Sequence, residues 1–439
     1  MKLSHLNVFI VIIWATTSTT ALAQTWSLNQ CLDSALVNNT KLELVNNSVK
    51  LTELKNQEVK SNLIPKVNVN GEYKYFIELP YQLMPLSIFG GPEGQFQEAQ
   101  FGVPHNINAN LSIQAPLFSS ELYGAIKKTE LGKQLVELQV LKTEDEVFYE
   151  VSSLYRNAQL IQNQIFFLDS LISNTKGIQK NMILLNEEQL TTKTDSKKIE
   201  LQISLLISQK LNLEMKLKQV LNGLKIMMGL NTDSELLIDP IISLIPFQVY
   251  EQNGNTDYDL LQVQENILNV EMTTLNRSRF LPDVGIVGSY GVQGYGYDQS
   301  PNEFLNFYPI GFVGLRLSYP IFNGTTTNKK IDQKKIELEN IELKKKSTLD
   351  ANNLAIENAL VVLKNAFALF EISKSQVELS QLILTEETYR YEEGLSSIND
   401  VLQSQNELIK SKQNYLQSLA ECLSADLILR KLTNNFNKE

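Results

Sequence analysis

Residues 66–79 read Lys66-Val67-Asn68-Val69-Asn70-Gly71-Glu72-Tyr73-Lys74-Tyr75-Phe76-Ile77-Glu78-Leu79. Val67, Val69, Gly71, Tyr73, Tyr75, Ile77 and Leu79 alternate with Lys66, Asn68, Asn70, Glu72, Lys74, Phe76 and Glu78. A period of two predicts a strand with one apolar and one polar face. Residues 106–117 repeat the pattern, with Ile107, Ala109, Leu111, Ile113, Ala115 and Leu117 set against Asn106, Asn108, Asn110, Ser112, Gln114 and Pro116. Two further strands are predicted near 283–295 and 308–321. Alternation sustained this long exceeds most globular strands. A soluble sandwich with one wet face needs a second layer, and four strands supply none.

Working outward, the twelve prolines leave two long intervals empty, 117–239 and 321–439. Proline is kept out of helix interiors because it lacks the N–H donor and clashes with the preceding turn. Both intervals are rich in Leu, Ile, Lys, Glu, Gln and Asn, and read as long helices. Each has one break, Leu190-Thr191-Thr192-Lys193-Thr194-Asp195 and Gly394-Leu395-Ser396-Ser397-Ile398-Asn399-Asp400. Gly at a helix end and Ser, Thr or Asp at the next start are the expected capping residues, with Asp195 and Asp400 as candidate N-caps. The first arm, from about 120 to 188, would run ~100 Å at 1.5 Å per residue. Leu206, Leu213, Leu217, Val220, Leu224 and Met227 step like a coiled-coil seam, which reads as packing.

The two halves repeat. Leu63-Ile64-Pro65-Lys66-Val67 matches Phe280-Leu281-Pro282-Asp283-Val284, and Leu111, Ile113, Pro116 and Phe118 match Leu315, Leu317, Pro320 and Phe322. Glu187-Glu188, Leu190 and Asp195 match Glu392-Glu393, Leu395 and Asp400. The chain therefore divides into a leader (1–23), a first repeat (24–239), a connecting segment (240–256) and a second repeat (257–439). The first repeat holds a short helix, a β-hairpin at 66–117 and a long helical hairpin at 120–229. The second holds a short helix, a β-hairpin at 283–321 and a helical hairpin at 324–434. The predicted class is an α+β membrane protein. Aromatic residues cluster at the strand ends, among them Tyr73, Tyr75, Phe118, Tyr295, Tyr297 and Phe322, as in interfacial girdles. Four strands cannot close a membrane barrel, and an open edge is not tolerated in lipid. The barrel must be shared: two chains give eight strands, three give twelve.

Composition excludes several classes. The 439 residues carry a net charge of −10, against the basic face that nucleic acid requires. Of two histidines, His5 lies in the leader and only His105 remains, too few for a His-based triad or a multi-histidine metal centre. No nucleophile elbow or phosphate-cradling glycine loop is present, so the chain does not read as an enzyme, and no cofactor or metal is expected. Residues 1–23 read as a secretory signal, with Lys2, an apolar run from Leu6 to Ala15 and Ala21-Leu22-Ala23 before Gln24. Cys31 and Cys422 are either a disulfide or two buried thiols, the second being the commoner state.

These features together resemble the outer-membrane efflux protein family, the TolC-like channels. The resemblance rests on Ser27-Leu28, Cys31-Leu32, Ala35-Leu36 and Asn38-Asn39 followed by Pro65, and on Asp257, Tyr258-Asp259-Leu260 and Leu281-Pro282. The most family-like string is Tyr391-x-x-Gly394-x-x-x-x-x-Asp400-Val401-Leu402. It implies a homotrimer with a twelve-stranded barrel in outer-membrane lipid and a helical periplasmic tunnel. It also implies an entrance opened by a periplasmic membrane-fusion adaptor and an inner-membrane transporter. By position Tyr391 resembles an entrance tyrosine, Asp195 its acidic partner and Asp400 a member of an acidic ring. Ser396 stands where an arginine is expected and Gln403 where a second acid is expected, so the resemblance implies a differently built lock.

On the polar strand face Lys66, Asn68, Glu72, Lys74, Asn108, Asn110 and Arg316 are candidates for the lumen. The expected function is a passive exit duct of a tripartite efflux or type I secretion system, with energy from the partner pump. The alternative is an exported coiled-coil scaffold or adaptor without a pore. The scaffold leaves four alternating strands unexplained, and the adaptor needs only one helical hairpin. Few His and Met along the polar faces argue against a dedicated copper or silver route.

Overall fold

The computed structural model describes residues 25–187, 192–243 and 248–436. The leader at 1–23, the first hairpin break at 188–191 and part of the 240–256 segment lie outside the described residues. Helices α1 (Leu28–Asn38) and α2 (Thr40–Ser61) precede strand β1 (Lys66–Tyr75). A small hairpin, β2 (Tyr81–Pro85) and β3 (Phe96–Gln100), then leads to β4 (His105–Phe118). Helices α3 (Ser120–Glu187), α4 (Lys193–Met227) and α5 (Thr256–Ser278) follow, then β5 (Asp283–Tyr297), β6 (Phe304–Ser318), α6 (Thr326–Glu392) and α7 (Ile398–Leu432). The long arms match, 68 residues in α3 and 67 in α6, and so do the returning arms, 35 residues each in α4 and α7. Among the described residues no helix is long and apolar enough to cross a membrane.

Two compact units draw on both halves of the sequence rather than dividing between them. One gathers the described residues of Lys41–Thr143 and Gln252–Ala355. Its sheet runs in the order β1-β4-β5-β6, antiparallel throughout, leaving β1 and β6 each with one unpaired edge. Directly paired residues share a face. Asn68, Ser112 and Ser289 therefore lie on one face, and Glu72, Asn108 and Gln293 continue it. The other face carries Val69, Leu111, Tyr290, Val313 and Leu315, largely uncovered in this chain. The prolines follow strand logic: Pro116 sits at the pairing irregularity in β4 and Pro309 in the edge strand β6. Gly291 is needed because a Cβ there would meet the Asn110 Cα at 2.6 Å. Below the sheet, ion pairs link the short helices to the long ones. Lys60 reaches Glu130 at 3.0 Å, and Lys128 and Lys334 both hold Glu271.

The other unit gathers the described residues of Met1–Thr40, Glu144–Glu251 and Ile356–Glu439. Its core is laid down in patches along the helices. Leu168, Leu171 and Ile172 of α3 meet Leu206 of α4 and Leu408 and Ile409 of α7. Ala359, Leu363 and Ala366 of α6 meet Cys422, Ala425 and Leu429 of α7. Small residues there allow close helix approach. Buried polar pairs fix register between the patches: Gln405 Nε2 donates to Thr175 Oγ1 at 2.6 Å, and the Ser373 and Ser418 hydroxyls lie 2.7 Å apart. The α4 end is tightly specified. Gly229 takes a left-handed φ of 68°, and a Cβ there would lie 2.6 Å from the Asn38 carbonyl oxygen. The chain then passes Trp26, whose N–H donates to the Leu237 carbonyl at 2.8 Å. Cys31 and Cys422 are both free and buried. Burial pushes the Cys31 thiol up to about 12, which makes it inert as a nucleophile.

Candidate functional site

The tips of the two helical hairpins meet in one cluster. Met182 of α3, Ile199 and Ile203 of α4, and Ile398 and Val401 of α7 are buried together, with Tyr391 of α6 packed against them. Gly394 ends α6 with φ 74°, and the Leu395 N–H returns to the Arg390 carbonyl at 2.7 Å. That left-handed residue and its returning hydrogen bond are what turn α6 into α7. Across the tips Lys198 Nζ donates to Asn399 Oδ1 at 2.9 Å and Gln202 Nε2 to Asn406 Oδ1 at 3.1 Å.

The caps are Thr192 and Ser397, and the acids expected there sit three residues further in. Ser397 N donates to Asp400 Oδ2 at 2.9 Å while Asp400 N donates to Ser397 Oγ at 3.4 Å, a reciprocal capping box. Thr192 Oγ1 donates to Asp195 Oδ2 at 2.7 Å and accepts from Asp195 N at 3.2 Å. A short hydroxyl reaches the third backbone N–H, and the longer carboxylate reaches back, so each type takes the place its length suits. Both carboxyls are held below their ordinary range. For Asp195 the Thr192 hydroxyl is the main cause, joined by Lys198 at 3.4 Å. For Asp400 it is the Ser397 hydroxyl, with Arg390 adding attraction.

Tyr391 is placed beside Asp195 but not bonded to it. Its hydroxyl is buried with no hydrogen-bond partner among the described residues, while Thr192 and Lys198 engage Asp195. Burial raises the Tyr391 pKa, and the Asp195 charge raises it further. Ser396 Oγ donates to the Glu387 carbonyl at 3.2 Å inside the turn. Gln403 is exposed and donates to Glu407 at 3.2 Å. The cations here, Lys198 and Arg390, escaped sequence reasoning. Arg390 pairs with Glu387 at 3.2 Å one turn before the tip, and only the folded turn brings it near Asp400. A basic residue in the last turn of α6 was the signal that could have found it.

In the sheet, Lys66, Asn68, Glu72 and Lys74 of β1 share a face with Asn108 and Asn110 of β4. Arg316 joins that face through the Pro116–Gly285–Arg316 row. The amides form a ladder: Asn70 Nδ2 donates to Asn110 Oδ1 and to Ser112 Oγ, both at 3.1 Å. Lys74 holds Glu72 at 2.8 Å, and Asn108 Oδ1 is buried without a partner. The polar face fails on β6, where Tyr308, Ile310 and Phe312 occupy it and Arg316 is the remaining charge. His105 Nδ1 lies 2.8 Å from the Tyr73 hydroxyl, at the end of the sheet away from the helices. Among the described residues no group of three His, Cys, Asp or Glu side chains is arranged to hold a metal.

Comparison with known proteins adds sequence and fold evidence. Residues 271–435 match the family model of the outer membrane efflux protein. Half of the chain, 236 residues, is 25% identical to the alkaline protease secretion protein AprF of Pseudomonas aeruginosa, and the match spans 47% of that protein's length. The fold matches the outer membrane protein VceC of Vibrio cholerae with a TM-score of 0.72 at 14% identity, covering 92% of this chain and 95% of that one. It matches the Campylobacter jejuni CmeC outer membrane channel equally, TM-score 0.72 at 14% identity, over 93% and 85%. AprF is thus a secretion protein, VceC an outer membrane protein and CmeC an outer membrane channel. Over residues 271–435 this chain is therefore similar in sequence to the outer membrane efflux proteins, and over more than nine-tenths of its length it shares the fold of VceC and CmeC.

Proposed function

We propose that three copies of this chain form the exit duct of an efflux or type I secretion system in the outer membrane. The observation that carries this reading is the two-faced sheet with two open edges. An apolar face of this extent is unstable in water, and its unpaired edges are unstable in lipid. Pairing β6 of one copy with β1 of the next satisfies both, and three copies make a closed barrel of twelve strands. Lys66, Asn68, Glu72, Lys74, Asn108, Asn110 and Arg316 then face a water-filled lumen. The internal duplication accounts for two strands and two helical arms per half. The likeness to a protease secretion protein favours polypeptide cargo over small molecules.

The hairpin tips form the periplasmic entrance in this reading. Three copies of Asp400 give a ring of negative charge, and Arg390 tempers it. Tyr391, with no hydrogen-bond partner among the described residues, would find one on a neighbouring copy. Ser396 and Gln403 shape the turn and the rim without adding charge. A periplasmic adaptor and an inner-membrane pump supply the opening and the energy. The test is native mass spectrometry of the detergent-extracted protein followed by single-channel recording in a planar bilayer. A trimer that conducts is expected. A folded monomer, or a protein recovered only in the soluble periplasm, overturns the duct and favours the exported scaffold.

A further inference from the structure

Where β4 passes into α3 and α5 passes into β5, the two helices part around a cavity of about 750 Å³. Its wall includes Phe118, Ser120, Tyr123, Lys127, Arg277 and Leu281. No aspartate or glutamate lines it, although the chain as a whole carries a net charge of −10. The next face of the same helices shows the contrast. There Lys128 and Lys334 share Glu271, and Lys334 also holds Glu337 at 2.7 Å. Lys127 and Arg277 have no ion pair among the described residues. Two unmatched cations in an acidic protein, turned to one cavity, point to an anionic ligand.

Two more features point the same way. Ser120 is only 6% exposed, and its hydroxyl is buried with no hydrogen-bond partner. Helix α3 begins at this residue, so the positive end of its dipole stands at the cavity wall. The second feature is sidedness. After the irregularity at Pro116, Phe118 pairs with Val284 and so joins the apolar face of the sheet. The cavity thus continues the apolar face downward, with Arg277 and Lys127 in its helical part below Phe118 and Leu281. Apolar wall above and positive charge below is the layout of a lipid, with chains along the barrel and headgroup at the interface.

We propose that this cavity binds an anionic phospholipid, its phosphate held by Lys127 and Arg277 and its acyl chains laid along Phe118 and Leu281. The proposal rests on the reading of the sheet as a barrel wall. Native mass spectrometry of the full detergent-extracted chain tests it, with phosphatidylglycerol or phosphatidylcholine of equal chain length added in separate titrations. Phosphatidylglycerol should bind more tightly, and the K127Q/R277Q variant should lose about thirtyfold of that affinity while phosphatidylcholine changes little. Lys127→Arg keeps the charge and should keep the affinity. Equal phosphatidylglycerol binding by the native chain and K127Q/R277Q overturns the site. Inorganic phosphate that displaces the lipid headgroup at comparable concentration overturns the lipid assignment in favour of a free anion. The same spectra give the oligomeric mass. A trimer indifferent to the two substitutions defeats this site alone, whereas a monomer defeats the barrel and the site together.

Discussion

Asp145 and Asp400 show how differently two carboxylates of one chain respond to acid. Burial, with Glu144 beside it, pushes Asp145 up from 3.8 to about 6, and Lys431 only partly opposes this. The folded state then binds a proton that the unfolded state has released, so stability rises as pH falls from about 6 toward 3.8. Above that window the buried charge is a constant penalty. Asp145→Asn should therefore raise stability at pH 7 by about 1 kcal/mol, a figure discounted because the side chain is only partly buried, and should flatten the pH dependence. Urea unfolding at pH 5 and pH 7 measures both. Asp400 has the opposite sign: its pKa is lowered, so its contribution is present above the ordinary carboxylate value and fades as pH drops below it. Tyr391→Phe removes a hydroxyl that is unsatisfied among the described residues. Conductance of the assembled channel should rise through loss of about 0.5–1.5 kcal/mol per hydrogen bond to a neighbour. Unchanged conductance would remove Tyr391 from gating.

At the scale of elements, the capping box of α7 is the most exposed dependency. Ser397→Ala should cost about 1 kcal/mol and loosen the tip, seen as faster amide exchange over residues 398–403 with the upper helices unaffected. The elements themselves were largely legible, because alternation and proline exclusion are local. Strands at 66–75 and 283–297 and helices that end at Gly394 follow from neighbours in sequence. What was not legible depends on packing. The β2–β3 hairpin lies among Pro80, Pro85 and Pro92 and has no clean alternation, so it reads as loop. Asp195 and Asp400 looked like caps because Asp caps well, and only geometry shows the hydroxyl preceding each by three residues. Lys198 reaches Asn399 across 201 positions of sequence, a register no local pattern encodes. Phe312 and Ile310 on the otherwise polar face were hidden because residues 307–315 within β6 carry no charged or amide side chain to mark the polar face.

At the scale of the whole molecule, the sheet depends on the β1–β4 register and not on the segment between them, whose last pair is Tyr75 with His105. Replacing residues 77–103 by a short turn should leave the oligomer and its thermal stability intact, because a surface loop tolerates length change that a packed arm does not. Native mass and circular dichroism melting check this, and loss of the oligomer would give the β2–β3 hairpin a structural duty. The two open edges carry a genetic consequence. A defect within the helical core harms only the copy that bears it. In the proposed trimer a defect on the outer side of β1 or β6 would be shared with the copy alongside, so that one bad subunit would spoil a ring built mostly from good ones. In a cell making both versions, edge mutations should be dominant, and core mutations recessive.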